Sequence, residues 1–312
     1  MVARLAILLL VIQALVAVTI GMALHGYLGM AGWLAAGSGV SSVLLVRATI
    51  VANNFRLAAR FAGSIPPPPL GGRRRLGMIL RELRATLRSS SWDMPLHRPA
   101  GVRRHAGTAT PVLLIHGYGC NGGYWRAARG ALDRERISHH ALDLEPILAS
   151  IDAYVPQVDA AIDALCAATG HYQVIVVGHS MGGLVARAWV RACGGARLAR
   201  LITLGTPHHG TVLAHFGPGE NSRQMCRNRQ AHDGDHRGLA SACSSWLNAL
   251  NAAQADTGPS RVSIFSHHDN IIVPASSAIV DGAINIGFTG VGHVALGSDR
   301  AVLACLIAQI RQ

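Results

Sequence analysis

Two long stretches without a single charged residue lie near the start of this chain. Leu5 to Leu24 is an uncharged run of 20 residues, and Leu28 to Val46 is a second run of 19. A helix rises about 1.5 Å per residue, so each run is long enough to cross the roughly 30 Å hydrocarbon core of a bilayer. Only His25 to Tyr27 separate the two runs. We therefore predict that residues 1–60 form a transmembrane hairpin whose spans are about 5–24 and 28–46.

Two alternatives to a hairpin remain open from the sequence. The first is a cleaved secretory signal, because Met22 to Gly26 offers a weak small-residue cleavage site after the first run. The second is a pair of buried helices in a soluble protein, although a core helix rarely runs so far without a polar face. The length of both runs favours the hairpin over these alternatives.

Basic residues are concentrated beside the apolar runs. All 28 basic residues are Arg. Residues 1–107 hold 13 Arg and two acidic residues, a net charge of +11. Residues 108–312 hold 15 Arg and 14 acidic residues, a net charge of +1. The C-terminal region therefore has no excess charge with which to follow a phosphate backbone. The composition argues against a nucleic-acid partner and for membrane lipids.

The arginines also predict an orientation. Arg4 precedes the first run, Arg47 follows the second, and the turn between the runs contains no Arg. The positive-inside rule then places both ends of the hairpin, and the C-terminal domain, in the cytoplasm. If only the first run spans the membrane, the domain lies on the other side.

Residues 61–107 are predicted to form a basic linker that contains one amphipathic helix. Pro66 to Pro69 favours extended polyproline geometry, and Gly71-Gly72 interrupts it. Apolar residues then recur at helical spacing with arginines between them. Such a helix could rest on anionic headgroups or pack its leucines on the domain that follows, and the sequence favours neither outcome. The apolar positions are Leu76, Ile79, Leu80, Leu83 and Leu87.

From Thr108 onward, short β-rich runs alternate with helical ones. This alternation predicts an α/β domain over residues 108–312, with a mostly parallel sheet and helices on both faces. Predicted helices span Ile151 to Ala168, Met181 to Arg191 and Ser298 to Ile310. The predicted strands are Val112–Ile115, Ser138–Leu142, Gln173–Val177, Leu201–Leu204, Val262–Phe265 and Ala283–Ile286.

A candidate nucleophile follows the third predicted strand. Gly178-His179-Ser180-Met181-Gly182 comes directly after an apolar run and opens a predicted helix. This is the strand-turn-helix context that the G-x-S-x-G nucleophile elbow requires. The glycines leave room where strand and helix pack, and the helix N-terminus favours developing negative charge. We predict that Ser180 is a catalytic nucleophile.

A serine hydroxyl needs a base, and the base needs an orienting carboxylate. His293 follows the last predicted strand and is the best candidate base. Asp269 follows strand Val262–Phe265 at the sheet edge that faces Ser180, whereas Asp256 and Asp281 precede strands. We predict the triad Ser180, His293 and Asp269, with Asp256 and Asp281 as alternative acids.

An oxyanion hole needs backbone N–H groups at the same edge. His116-Gly117-Tyr118-Gly119 follows the first predicted strand, and Met181 follows the nucleophile. We predict that the backbone N–H groups of Tyr118 and Met181 form the hole. His116 is expected to orient this loop and not to act as a second base.

Together these motifs resemble bacterial triacylglycerol lipases and esterases of the α/β-hydrolase superfamily. Leu204-Gly205-Thr206-Pro207 and Gly290-Val291-Gly292-His293 complete the resemblance, which covers roughly residues 108–312. It implies an α/β-hydrolase fold and hydrolysis of carboxylic esters, with acyl lipids as the expected substrates and no cofactor. With the hairpin, it implies a multi-pass protein of a bacterial inner membrane. A thioesterase or acyltransferase, and a non-catalytic membrane-tethered binding protein, remain alternatives.

The polar, His-rich and Gly-rich stretch 207–260 is predicted to be a cap-like insertion over the active site. Cys226 and Cys243 bracket its middle, and we expect free thiols there in the cytoplasm, or a disulfide in an oxidising compartment. Its histidines match no standard zinc spacing, so no metal site is predicted. These are His208, His209, His215, His232 and His236.

Overall fold

A computed structural model describes residues 1–63, 66–227, 244–253 and 260–312 of this chain. Two helices at the N-terminus form an antiparallel hairpin: α1 spans Val2–Leu28 and α2 spans Gly32–Arg60. Both are long and apolar enough to cross a membrane. Their most apolar stretches are only 6% and 17% buried, which does not fit helices in the core of a soluble protein.

The turn of the hairpin lies later than the sequence predicted. It is formed by residues 29–31 and not by His25 to Tyr27, because Gly29 adopts a left-handed conformation with φ 64° and ends α1. The N–H of Gly29 donates to the carbonyl of His25, and that of Met30 donates to the carbonyl of Leu24. The first helix therefore runs through the residues that the sequence assigned to the turn.

Helix α3 spans Gly72–Arg88 in the predicted linker and packs on the second half of α2. Met78 forms a small buried cluster with Val51 and Phe55 of α2. Two of the predicted apolar positions, Leu76 and Leu80, remain exposed. The amphipathic helix is thus part of the packed structure, and only a portion of its apolar face is free.

The remaining chain forms one six-stranded sheet in the order β2-β1-β3-β4-β5-β6, with every neighbouring pair parallel. The predicted α/β fold class is confirmed, and each predicted strand is present within three residues at either end. The strands are β1 Val112–Ile115, β2 His139–Leu142, β3 Val174–His179, β4 Leu198–Leu204, β5 Ser260–Ser266 and β6 Ile284–Phe288.

Helices cover both faces of the sheet, because alternate strand residues point to opposite sides. On one face Leu113 and Val176 pack against α5 and α6, and on the other Leu114 and Val177 pack against α4 and the C-terminal helix. The helices are α4 Arg126–Arg134, α5 Val155–Thr169, α6 Met181–Cys193, α7 Glu220–Gln224, α8 Ser245–Ala252 and α9 Arg300–Arg311.

Candidate active site

Ser180 lies in the sharp turn between β3 and α6. Its backbone has φ 55° and ψ −125°, a conformation that is strained for a residue with a side chain. A Cβ on Gly178 would lie 2.5 Å from the Gly183 nitrogen, and one on Gly182 would lie 2.2 Å from the Ile115 carbonyl oxygen. Neither position has room for a side chain, which explains both glycines of the motif.

Asp269 and His293 form a buried hydrogen-bonded pair. Nδ1 of His293 donates to Oδ2 of Asp269 at 2.8 Å, and Oδ1 of Asp269 accepts the N–H groups of Ile271 and Ile272, each at 2.8 Å. With both carboxylate oxygens engaged, the imidazole orientation is fixed and Nε2 is left as the basic nitrogen. Of the alternative acids, Asp281 is exposed and Asp256 lies outside the described residues.

The environment of His293 favours its protonated form. Burial lowers the pKa of His293, but the charge and hydrogen bond of Asp269, together with the charge of Glu82, raise it overall above the ordinary value. A base that is stabilised after it accepts a proton suits the transfer of a serine proton.

The structure brings Ser180, Asp269 and His293 to one edge of the sheet. The N–H of Ser180 donates to the carbonyl of Leu204 at 2.9 Å, which ties the elbow to the end of β4. At the next residue, a Cβ on Gly205 would lie 3.1 Å from Asp269 Oδ2 and 3.2 Å from His293 Nδ1. The carboxyl ends of three neighbouring strands therefore meet at this point, as in other open α/β sheets.

The loop after β1 passes directly over Ser180, the predicted nucleophile. A Cβ on Gly117 would lie 2.9 Å from Cβ of Ser180. In the described part of the chain, the backbone N–H groups of Tyr118 and Met181, the predicted oxyanion donors, donate to no protein acceptor. His116 accepts the Leu144 N–H at Nε2 and bonds the Gly117 carbonyl through Nδ1, so it holds the loop in place.

Sequence reasoning missed three residues that contact the backbone around His293. Nε2 of His179 lies 3.2 Å from the His293 carbonyl oxygen, and Asn270 Oδ1 accepts the His293 N–H at 2.9 Å. Burial lowers the pKa of His179 well below its ordinary value, so this imidazole is a neutral donor. His179 directly precedes Ser180 and Asn270 directly follows Asp269, so their positions in the sequence could have identified them. The third residue, Glu82 of α3, gave no signal.

The described part of the predicted insertion lies beside this loop. The hydroxyl of Tyr118 donates to the Pro218 carbonyl at 2.7 Å, and helices α7 and α8 belong to this segment. The expectation of free thiols at Cys226 and Cys243, with a disulfide as the alternative, stays a prediction, because Cys243 lies outside the described residues, as do His232 and His236. His208 is buried and lies 3.0 Å from Nη1 of Arg187.

One group of the described side chains could in principle hold a metal ion. It consists of His105, Asp133 and His139, whose ligand atoms lie within 4.8 Å of one another. The group lies at the β2 edge of the sheet. Nε2 of His105 lies 2.8 Å from Oδ1 of Asp133. Nε of Arg103 lies 3.5 Å from the same oxygen, and its positive charge competes with any cation there. We therefore regard this group as an ion-pair cluster.

Comparison with known proteins gives a consistent class. A family profile described as palmitoyl protein thioesterase matches residues 111–255. A triacylglycerol lipase of Burkholderia plantarii is 28% identical over 155 residues, which cover 43% of this chain and 43% of the lipase. A triacylglycerol lipase of Pseudarthrobacter phenanthrenivorans is 30% identical over 120 residues, 36% of this chain and 37% of the lipase. The chain thus spans less than half of the length of these curated relatives.

Two solved structures share the fold at low sequence identity. Mature Bacillus licheniformis lipase BlEst2 aligns with a TM-score of 0.54 and 15% identity, covering 69% of this chain and 100% of the lipase. Aspergillus fumigatus lipase B aligns with a TM-score of 0.51 and 17% identity, covering 68% of this chain and 56% of the lipase. These two similarities show the fold. Together with the family profile and the lipase relatives, they support the assignment of the chain to the α/β-hydrolase superfamily.

Proposed function

We propose that this protein is a membrane-anchored serine hydrolase that cleaves carboxylic esters, with acyl lipids as its substrate class. The observation that carries the proposal is the placement of Ser180, in its strained elbow, at the same end of β4 as the hydrogen-bonded pair of Asp269 and His293. The similarity to triacylglycerol lipases supports the choice of ester substrates.

The proposed reaction proceeds through an acyl-enzyme. Oγ of Ser180 attacks the ester carbonyl carbon while Nε2 of His293 takes the hydroxyl proton, and the N–H groups of Tyr118 and Met181 stabilise the oxyanion. His293 then gives the proton to the leaving alcohol. A water molecule, activated by the same imidazole, attacks the acyl-enzyme and releases the carboxylic acid. Asp269 holds the imidazole throughout.

The test uses p-nitrophenyl esters of increasing acyl length and a membrane-lipid ester, with Ser180→Ala as the control. We expect turnover by the wild type and a loss of about 10⁴-fold or more in the variant, because the nucleophile is removed. Equal rates in a correctly folded Ser180→Ala variant would exclude Ser180 as the nucleophile. No turnover of any ester by the wild type would contradict the proposed activity.

Thioester hydrolysis is the second candidate, favoured by the match to the palmitoyl protein thioesterase family. The same triad can expel a thiolate in place of an alkoxide. Comparing kcat/KM for an oxyester and a thioester of the same acyl group separates the two functions. A clear preference for the thioester would replace ester hydrolysis as the principal activity.

We also propose that α1 and α2 span a bacterial inner membrane with the catalytic domain in the cytoplasm. The arginines at both ends of the hairpin and their absence from residues 29–31 support this orientation. A reporter that fluoresces only in the cytoplasm, fused after Gln312, should be bright. A dark reporter together with an active periplasmic reporter would indicate a single span or a cleaved signal.

A further inference from the structure

One carboxylate of the N-terminal region is buried in the catalytic domain. Glu82 lies on α3 between Arg81 and Leu83, yet it is only 1% exposed. Its Oε1 accepts the N–H of Val294 and its Oε2 accepts the N–H of Ala295, each at 2.9 Å. These are the first two residues after the predicted catalytic base, and they begin the short 3-10 helix Val294–Gly297. Glu82 therefore caps the turn that carries His293.

The two glycines before His293 fit this contact. A Cβ on Gly292 would lie 2.4 Å from Oε2 and 2.5 Å from Cδ of Glu82, so the glutamate fills the space of a side chain there. Gly290 has φ 71°, and its carbonyl accepts a hydrogen bond from Nη2 of Arg81 at 2.8 Å. Arg81 and Glu82 are consecutive residues of α3. Arg81 thus binds the backbone before His293, and Glu82 binds the backbone after it.

Removal of this carboxylate has a definite cost. The N–H groups of Val294 and Ala295 would lose their acceptor, and buried unsatisfied donors are expensive. This loop carries His293, whose contribution to the rate depends on its position. A shift of about 1 Å can cost about 10²-fold in rate. The remaining supports of His293 are Asp269, Asn270 and His179.

We propose that Glu82 is a positioning residue for the base of the proposed hydrolase: its carboxylate fixes the turn after His293 and holds the imidazole against Asp269. The inference deepens the proposed function and rests on it. It also gives the α3 helix a role, because the same helix packs on α2 through Met78. The N-terminal region then contributes directly to the active site.

The ionisable groups that face His293 come from three elements. Asp269 follows β5, Glu82 lies on α3, and the neutral ring of His179 in the elbow lies 4.5 Å from the His293 ring between centroids. Tyr124, whose ring stacks on His179, and Arg81 are the other ionisable groups around Glu82. Burial raises the pKa of Glu82, while the two N–H donors favour its carboxylate form. Its negative charge raises the pKa of His293.

The first experiment compares Glu82→Gln and Glu82→Ala with wild type in the full-length protein in detergent micelles. The rate of Ser180 labelling by a fluorophosphonate and kcat on a soluble ester are measured from pH 5 to pH 9. We expect Glu82→Ala to lower kcat by about 10- to 100-fold with little change in KM, and Glu82→Gln to lower it less. Glu135→Gln, which removes a surface glutamate paired with Arg311, is the matched control and should change nothing.

The pH profile separates positioning from general destabilisation. The rate rises with pH as His293 loses its proton, so the acid limb reports the pKa of His293. Because the charge of Glu82 raises that pKa, Glu82→Gln should move the acid limb to lower pH. The same pKa is read without any activity by NMR titration of labelled imidazoles, with His293→Gln identifying the resonance. A lower pKa in Glu82→Gln supports the proposal.

A second pair of variants keeps the test independent of folding defects. Gly292→Ala should lower kcat in the wild-type background, since its methyl group meets Glu82. In the Glu82→Ala background the methyl group has room, so the same substitution should cost little. This non-additivity is the signature of direct contact.

The outcomes distinguish the two proposals. Wild-type labelling with an unchanged rate, acid limb and imidazole pKa in Glu82→Gln would overturn the role of Glu82 and leave the proposed hydrolase intact. An unlabelled wild type would overturn the hydrolase. The NMR titration would then still show whether the charge of Glu82 raises the pKa of His293. In an active wild type, additive losses of kcat from Gly292→Ala and Glu82→Ala would count against the contact.

Discussion

The hairpin and the sheet domain use the same kinds of apolar residue in opposite ways. Leu15 of α1 is 61% exposed and Leu45 of α2 is 67% exposed, whereas Leu113 and Leu114 of β1 are completely buried. The sheet domain covers its strands with its own helices, so its core is complete. The hairpin leaves its apolar faces exposed. The difference supports the proposal that the hairpin attaches the protein to a membrane and that the sheet domain carries the chemistry.

The two regions also differ in how their helices approach each other. In the hairpin, a Cβ on Gly39 would lie 2.1 Å from the Ala17 carbonyl oxygen, so backbone packs directly on backbone. In the sheet domain, α5 and α6 contact each other and the strands through branched and aromatic side chains such as Ile162 and Trp189. Small residues at a helix contact are typical of packing inside membranes.

The largest expected effect is confined to the sheet domain. Asp269→Asn should lower kcat by about 10⁴-fold, because asparagine favours the wrong imidazole tautomer. The variant should remain in the membrane fraction, since the hairpin is untouched. Steady-state kinetics and fractionation check both expectations. Asp281→Asn, which changes an exposed residue before β6, is the matched control, and a larger loss there would show that the acid is wrong.

Much of the sheet was predictable because strands such as β1 and β3 contain compact runs of apolar residues. The largest error is at β4, which begins at Leu198 and not at Leu201. Arg200 interrupts the apolar pattern there, but its backbone pairs with Ser260 of β5 and its side chain donates through Nη1 to the Gln309 carbonyl. A polar side chain whose partner is about a hundred residues away cannot be assigned to a strand by local pattern.

The predicted site residues are those that lie next to a strand end in a recognisable motif. Ser180, Asp269 and His293 lie at one edge of the sheet because parallel strands present their carboxyl ends there. Glu82 has no such motif, and an acid among arginines in a short helix is normally expected to face water. Its burial depends on a contact with residues more than 200 positions later, which the local sequence does not encode.

A middle-sized effect is expected where the two regions meet. A chain that begins at Gly71 keeps α3 and its contacts with the loop of His293, whereas a chain that begins at Arg98 loses them. On a soluble ester the longer chain should retain kcat within a few-fold, and the shorter one should lose about 10- to 100-fold. Circular dichroism establishes that both are folded. Equal activities would mean that only the sheet domain matters for chemistry.

The smallest effect on activity is expected from the hairpin contact itself. Gly39→Ala places a methyl group against the Ala17 carbonyl, while Gly37→Ala adds the same group where nothing lies within 4 Å. Both variants gain the same helix propensity, so their difference isolates the contact. Gly39→Ala should be less stable than Gly37→Ala by about 1–3 kcal/mol, measured by unfolding in mixed micelles of increasing dodecyl sulfate.

Hydrolysis of a soluble ester should be unchanged in both glycine variants, because Gly39 lies in the first half of α2, whereas the α2 residues that pack on Met78 of α3 lie in the second half. Met78 packs on Val51 and Phe55, more than one helical turn of α2 beyond that contact. If Gly39→Ala lowered kcat as strongly as removal of α3, the hairpin would be coupled to the catalytic loop along the whole of α2. The attachment region and the catalytic region would then act as a single unit.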